Sequence, residues 1–305
     1  MYYLLHGILY VFSLLPIRIL YLFSDFFYFL LYYVFGYRKE IVFSNLQHAF
    51  PEKTEIEIKK IAKKFYRNLT DSFIETIKLL SAEKKFISKR FFGDCSVFHE
   101  LYKKGKKCQV HTSHNFNWEY ANLSTPLEIS HSMLTVYMPI KNKAFDRVMK
   151  KIRTRTGVVL LSATNAKNDF LPYRNTLYAL ILVADQNPGD PSKAYWLNFL
   201  GRPAPFIKGP ESGARRGNIP VIFSYFVKEK RGYYKVYHSL AEENPEITQE
   251  GELTLRYVRF LEKMIRESPE MWLWSHRRWK HKWKDDYEKN WIDNLPLVVK
   301  SSQKK

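Results

Sequence analysis

His114-Asn-Phe-Asn-Trp-Glu119 sets an imidazole and a carboxylate five positions apart, just after Lys107-Cys-Gln-Val-His-Thr112, a short run that reads as a strand. A histidine oriented by a carboxylate can take a proton from a hydroxyl, which is the central requirement for acylating an alcohol. Residues five apart lie about 140° from each other on an ideal helix, so the pair cannot meet inside one. They meet if His114 stands on a turn and Glu119 lies one helical turn in, with Asn115 or Asn117 as the N-cap. The expectation is strand, catalytic turn, helix, with His114 as general base and Glu119 as its orienting partner.

Spacing alone is a weak signal. With 9 histidines and 30 acidic residues in 305, roughly one such pair arises by chance. Two more occur. His238 to Glu243 follows a predicted strand but runs into the loop-like Ala-Glu-Glu-Asn-Pro, and His281 to Asp286 sits in a run of cations that a carboxylate would balance. Only His114 has the strand-to-helix setting.

The elements that must position these groups follow from periodicity. Strand-like runs at 108–112, 132–137, 158–162, 179–184, 194–199, 220–227 and 233–238 alternate with helical segments at 118–123 and 142–156. A helix over 248–267 closes the series. The pattern predicts an α/β fold, a mixed and partly parallel sheet flanked by helices. Upstream, Thr54-Glu-Ile-Glu57 is a capping box opening a helix whose apolar face is Ile58, Ile61, Ala62, Phe65, Leu69, Phe73 and Leu80. Asp185 and Gln186 end the strand at 179–184, a common location for site residues in α/β proteins.

The first 17 residues carry no charged side chain, and through Tyr37 the only charges are Arg18 and Asp25. Residues 1–36 are therefore expected to form a membrane-anchoring helix, or a helical hairpin broken at Pro16, and 37–305 a single domain. Arg38 and Lys39 follow the apolar stretch, which puts the domain on the cytoplasmic side. Cys95 and Cys108 form no metal-ligand or disulfide pattern, in keeping with a reducing compartment. A net charge of +19 calls for an anionic partner. Trp272, Trp274, Trp279 and Trp283, interleaved with Arg277, Arg278, Lys280 and Lys282, suit a membrane interface, single-stranded nucleic acid or internal packing on the sheet.

Six segments, in order, carry a resemblance: His114-Asn-Phe-Asn-Trp-Glu119, Tyr137-Met-Pro-Ile-Lys-Asn142, Arg153-Thr-Arg-Thr-Gly157, Ala184-Asp-Gln186, Phe199-Leu-Gly-Arg-Pro-Ala204 and Trp274-Ser-His-Arg-Arg-Trp279. With Gly36-Tyr-Arg38 and Asn45-Leu-Gln-His-Ala-Phe-Pro51 they make nearly the whole chain resemble the late lipid A acyltransferases, the lauroyl and myristoyl transferases related to the glycerolipid acyltransferases. Phe116 stands where that family often has glycine, and Met138 where many members have arginine.

The resemblance implies a bacterial inner-membrane enzyme with a His-x4-Asp/Glu block. Such an enzyme moves a fatty acyl group from acyl carrier protein, or from coenzyme A, to a hydroxyl of a lipid A precursor. It needs no cofactor beyond the acyl thioester, no metal and no nucleic acid. On this reading Arg155 is the cationic contributor beside the carbonyl oxygen or a phosphate ligand, and Asn117, Arg153, Asp185, Gln186 and Lys208 line the substrate site. Rival readings are the same chemistry on a lysophospholipid, an aminolipid or a glycosylated phosphoinositide, and a noncatalytic basic protein that binds membrane or nucleic acid.

Overall fold

The computed structural model describes residues 1–297. At its N-terminus α1 (Tyr2–Leu14) and α2 (Ile17–Phe29) form a hairpin hinged at Pro16, and α2 runs on into a π-helical turn, Leu30–Val34. Two helices follow, α3 (Lys39–Ala49) and α4 (Glu55–Lys78). The expected capping box opens α4: the Glu57 amide donates to Thr54 Oγ1 at 3.3 Å, and the Thr54 amide to Glu57 Oε2 at 2.9 Å.

The α/β body then runs α5 (Lys84–Arg90), β1 (Phe91–Gly93), α6 (Ser96–Lys103), β2 (Cys108–Thr112), α7 (Trp118–Glu128), β3 (Ser132–Tyr137) and α8 (Lys143–Arg153). It continues with β4 (Val159–Ser162), α9 (Ala166–Phe170), β5 (Tyr178–Val183), β6 (Tyr195–Phe199), β7 (Arg202–Phe206) and α10 (Gly209–Gly217). The strands β8 (Val221–Lys230) and β9 (Tyr233–Glu242) and the helix α11 (Glu252–Glu267) complete it.

Seven strands form one sheet in the order β1-β9-β8-β2-β5-β3-β4. The five from β8 to β4 are parallel, while β9 pairs antiparallel with β8. The expected mixed α/β sheet is therefore present. All five residues of β2 are buried, as a central parallel strand covered by helices on both faces requires. The strand expected at 194–199 is not in this sheet. It forms a separate antiparallel ribbon, β6 with β7, across a two-residue loop in which Leu200 and Gly201 both have positive φ (48° and 79°), the backbone of a tight hairpin turn.

On α4 the expected apolar face holds through Leu69, but Phe73 is 61% exposed. The buried face there is instead polar, with Thr70, Asp71 and Glu75 turned inward. These residues receive the hairpin. Ser24 Oγ donates to Asp71 Oδ1 at 2.7 Å, Tyr21 Oη to Glu75 Oε1 at 2.7 Å, and Arg231 bridges Asp71 and Asp25. Leu20, Ser24, Tyr28 and Tyr32 are buried, whereas Leu22, Phe26 and Phe29 on α2 and Leu4, Ile8 and Val11 on α1 face outward. By length and composition Ile17–Val34 could cross a membrane, yet one face of it is fastened to α4 by these polar contacts.

Candidate active site

The register of two neighbouring strands builds the site. Thr112, the last residue of β2, pairs with Val183, the last residue of β5, so the residues two beyond each strand, His114 and Asp185, emerge side by side. The Ala184 amide extends the ladder by one bond, donating to the Thr112 carbonyl at 3.1 Å. His114 Nδ1 then lies 2.6 Å from Asp185 Oδ1, and the His114 backbone amide donates to Asp185 Oδ2 at 3.0 Å. Trp272 Nε1 donates to the same Oδ2 at 2.7 Å.

Asp185 is buried, with 1% of its surface exposed. Burial pushes its carboxyl up, but the charge of the His114 ring and the hydrogen bonds from that ring, the His114 amide and the Trp272 indole together hold it below the usual carboxylate range. It is a fixed anion against the imidazole. Asp185 is expected among the residues lining the substrate site; in the structure its carboxylate is bonded to the ring and the amide of His114.

The expected pairing of His114 with Glu119 does not form. Glu119 sits in the first turn of α7, as anticipated, but Arg153 grips its carboxylate, with Nε 3.1 and 3.0 Å from the two oxygens and Nη2 2.5 Å from Oε1. Trp118 Nε1 adds a bond to Oε1 at 3.0 Å. The reason is positional: Arg153 ends α8 and reaches α7, whereas the ring nitrogen nearest the protein is already taken by Asp185.

His114, Glu119, Arg153 and Gln186 all line a cavity of about 800 Å³. Its walls are mostly apolar, including Phe98, Val110, Met133, Ile181, Phe226 and Val236, and its volume suits a ligand with a long hydrocarbon part. Met138, exposed by 67%, also borders it. The other predicted ligands lie elsewhere. Asn117 occupies the N-cap position of α7, but its amide donates to buried Glu75 Oε2 at 2.7 Å. Arg155 donates to the Leu79 carbonyl, which ties the end of α8 to the end of α4. Lys208 lies over the Tyr195 ring and donates to Asn290 at 3.2 Å.

Part of the aromatic-basic segment is internal. Trp272 and Trp274 are buried, and so is Arg278, which donates to the Pro205 carbonyl at 2.8 Å and Asn187 Oδ1 at 3.1 Å. Burial lowers the Arg278 pKa to about 10. Burial, then the Arg278 charge, lowers that of His276 to about 4. Sequence reasoning gave Trp272 no role at the site, because a tryptophan 87 positions beyond Asp185 carries no local signal of that contact. Among the described residues no cluster of His, Cys, Asp and Glu could hold a metal ion.

No curated protein matches this chain. The family model described as bacterial lipid A biosynthesis acyltransferase matches residues 1–281, nearly the full length. With a histidine at the mouth of an apolar cavity and a match across both the hairpin and the sheet, the chain belongs to the bacterial lipid A biosynthesis acyltransferases and is an acyltransferase.

Proposed function

We propose that the protein transfers a fatty acyl chain from acyl carrier protein, or from coenzyme A, to a hydroxyl of a lipid A precursor, with His114 as general base. The observation that carries this reading is His114, bonded through Nδ1 to a buried carboxylate while its ring opens on the 800 Å³ cavity. With Nδ1 held by Asp185, Nε2 is the nitrogen that accepts the proton of the acceptor hydroxyl as its oxygen attacks the thioester carbonyl. The tetrahedral intermediate collapses with loss of the thiolate, which takes the same proton from the imidazolium. Asp185 fixes the tautomer and stabilises the imidazolium. Negative charge on the carbonyl oxygen needs donors. The first turn of α7 has no side-chain cap, and Gln186 lines the cavity, so both offer N–H groups for it. Glu119 acts through Arg153, holding the guanidinium at the cavity wall, and is a positioning residue.

The donor assignment is supported by the net charge of +19, which favours an acidic carrier protein. We further propose that the hairpin lies in the cytoplasmic leaflet of the inner membrane without crossing it. The 13 residues of α1 reach about 20 Å against a hydrocarbon core of about 30 Å, and α2 is held along one face by α4. The test is transfer by purified protein from a panel of acyl thioesters to lipid A precursors and to lysophospholipids. Acylation of the lipid A precursor, abolished in His114→Ala, is the expected result; transfer to the lysophospholipid alone would assign a different acceptor.

A further inference from the structure

A second groove, of about 720 Å³, opens where the hairpin meets the body, and it is basic: Arg38, Lys39 and Arg277 line it, with Glu40 as the one carboxylate and Gly36 and Phe43 beside them. Each cation is held or free in a way that leaves donors available. Arg38 stands in the left-handed region (φ 50°) before α3 and spends Nη1 on the Ser275 carbonyl at 3.0 Å. Lys39 lies 4.3 Å above the Tyr32 ring. The Arg277 side chain has no hydrogen bond or ion pair to the described residues. The first turn of α3, an 11-residue helix, has no side-chain cap, so its positive end adds to the field.

Position selects the ligand. Phe35, 71% exposed, closes the apolar surface of the hairpin three residues before Arg38, so the cations sit at the depth where lipid headgroups carry phosphate. The loop carrying Arg277 is also fastened to both the hairpin side and the active site. Asn45 Nδ2 donates to the carbonyls of Trp274 and His276 at 2.9 and 3.0 Å, and Asn187, two residues past Asp185, donates to the Arg277 carbonyl at 2.8 Å.

We infer that this groove binds the phosphate ester of an anionic lipid, and that Arg38, Lys39 and Arg277 select phosphorylated acceptors for the acylation site. This rests on the acceptor being lipid A-like. It replaces Arg155, whose side chain is committed to the Leu79 carbonyl, as the phosphate ligand.

The experiment has two arms on the full chain in detergent or vesicles. In the first, kcat/KM is compared for a lipid A precursor and its enzymatically dephosphorylated form. Arg277→Ala should cut the preference for the phosphorylated acceptor about tenfold, the order of one charge-assisted contact, and Glu40→Gln should raise it. In the second arm, binding is measured to phosphatidylcholine vesicles with and without phosphatidic acid. A loss of phosphatidic acid dependence in Arg277→Ala, with the acceptor preference intact, keeps the phosphate chemistry and assigns it to bulk lipid. If neither arm responds to Arg277→Ala, Lys39→Ala or Glu40→Gln, the inference is wrong. Failure of the wild-type protein to acylate any lipid A precursor would count against the proposed reaction, while the vesicle arm would still judge the groove.

Discussion

Replacing Asp185 by Asn keeps its shape and removes the charge that faces the imidazole, so the loss should fall on turnover. We expect kcat to drop about a thousandfold with KM little changed, measured by steady-state transfer. Trp272→Phe removes one of the three donors to Asp185 and should cost about tenfold in kcat. The Asp185 carboxyl also gives a signed pH effect. Its folded pKa lies below the unfolded value of about 3.9, so its share of stability is complete above that value and is lost as pH falls through the folded pKa. The gap in unfolding free energy between wild type and Asp185→Asn should therefore narrow as pH drops below about 4. A gap that stays constant in acid would refute the fixed-anion assignment. Glu119 behaves differently because its partner is a guanidinium. Glu119→Gln leaves the half-buried Arg153 without its countercharge and should lower stability by about 1–3 kcal/mol, and Glu119→Leu combined with Arg153→Met should recover most of it in denaturant titrations.

Among the elements, α4 does the most linking. Its Glu75 is fully buried and accepts from Tyr21 on the hairpin, Asn117 before α7 and Tyr234 on β9, each at 2.7 Å. Tyr21→Phe deprives that buried carboxyl of a donor, with an expected cost of about 1–3 kcal/mol and faster proteolysis at the Pro16 hinge. Such contacts explain what could be read from the sequence and what could not. The strands at 108–112 and 132–137, the α4 capping box and the helix after His114 are local signals, and they match the structure. The three-residue β1 and the proline-bearing β7 have no such signal, since one is too short and the other depends on its hairpin partner and on Arg278, which is distant in sequence. Phe73 follows the helical period but is largely exposed, because the polar Thr70, Asp71 and Glu75 take the buried face there. The partner of His114 was hidden for a related reason. Residues 114 and 185 meet through strand register, whereas the Glu119 carboxylate is taken by Arg153 from another helix.

At the scale of the molecule, the apolar outer face of the hairpin and the basic groove at its foot give the protein one side suited to lipid. Leu22→Glu with Phe26→Glu, both on the outward face, should move the protein from the membrane to the soluble fraction without unfolding it, as checked by flotation and circular dichroism. The polar fastening of α2 to α4 has a kinetic consequence. With the hairpin seated in the leaflet as proposed, this rigid mount would keep the reaction centre at one height above the bilayer, and the enzyme would meet its acceptor by lateral diffusion in two dimensions. Turnover should then follow the mole fraction of acceptor in the surface: adding inert lipid slows it, and adding buffer to the same vesicles leaves it unchanged.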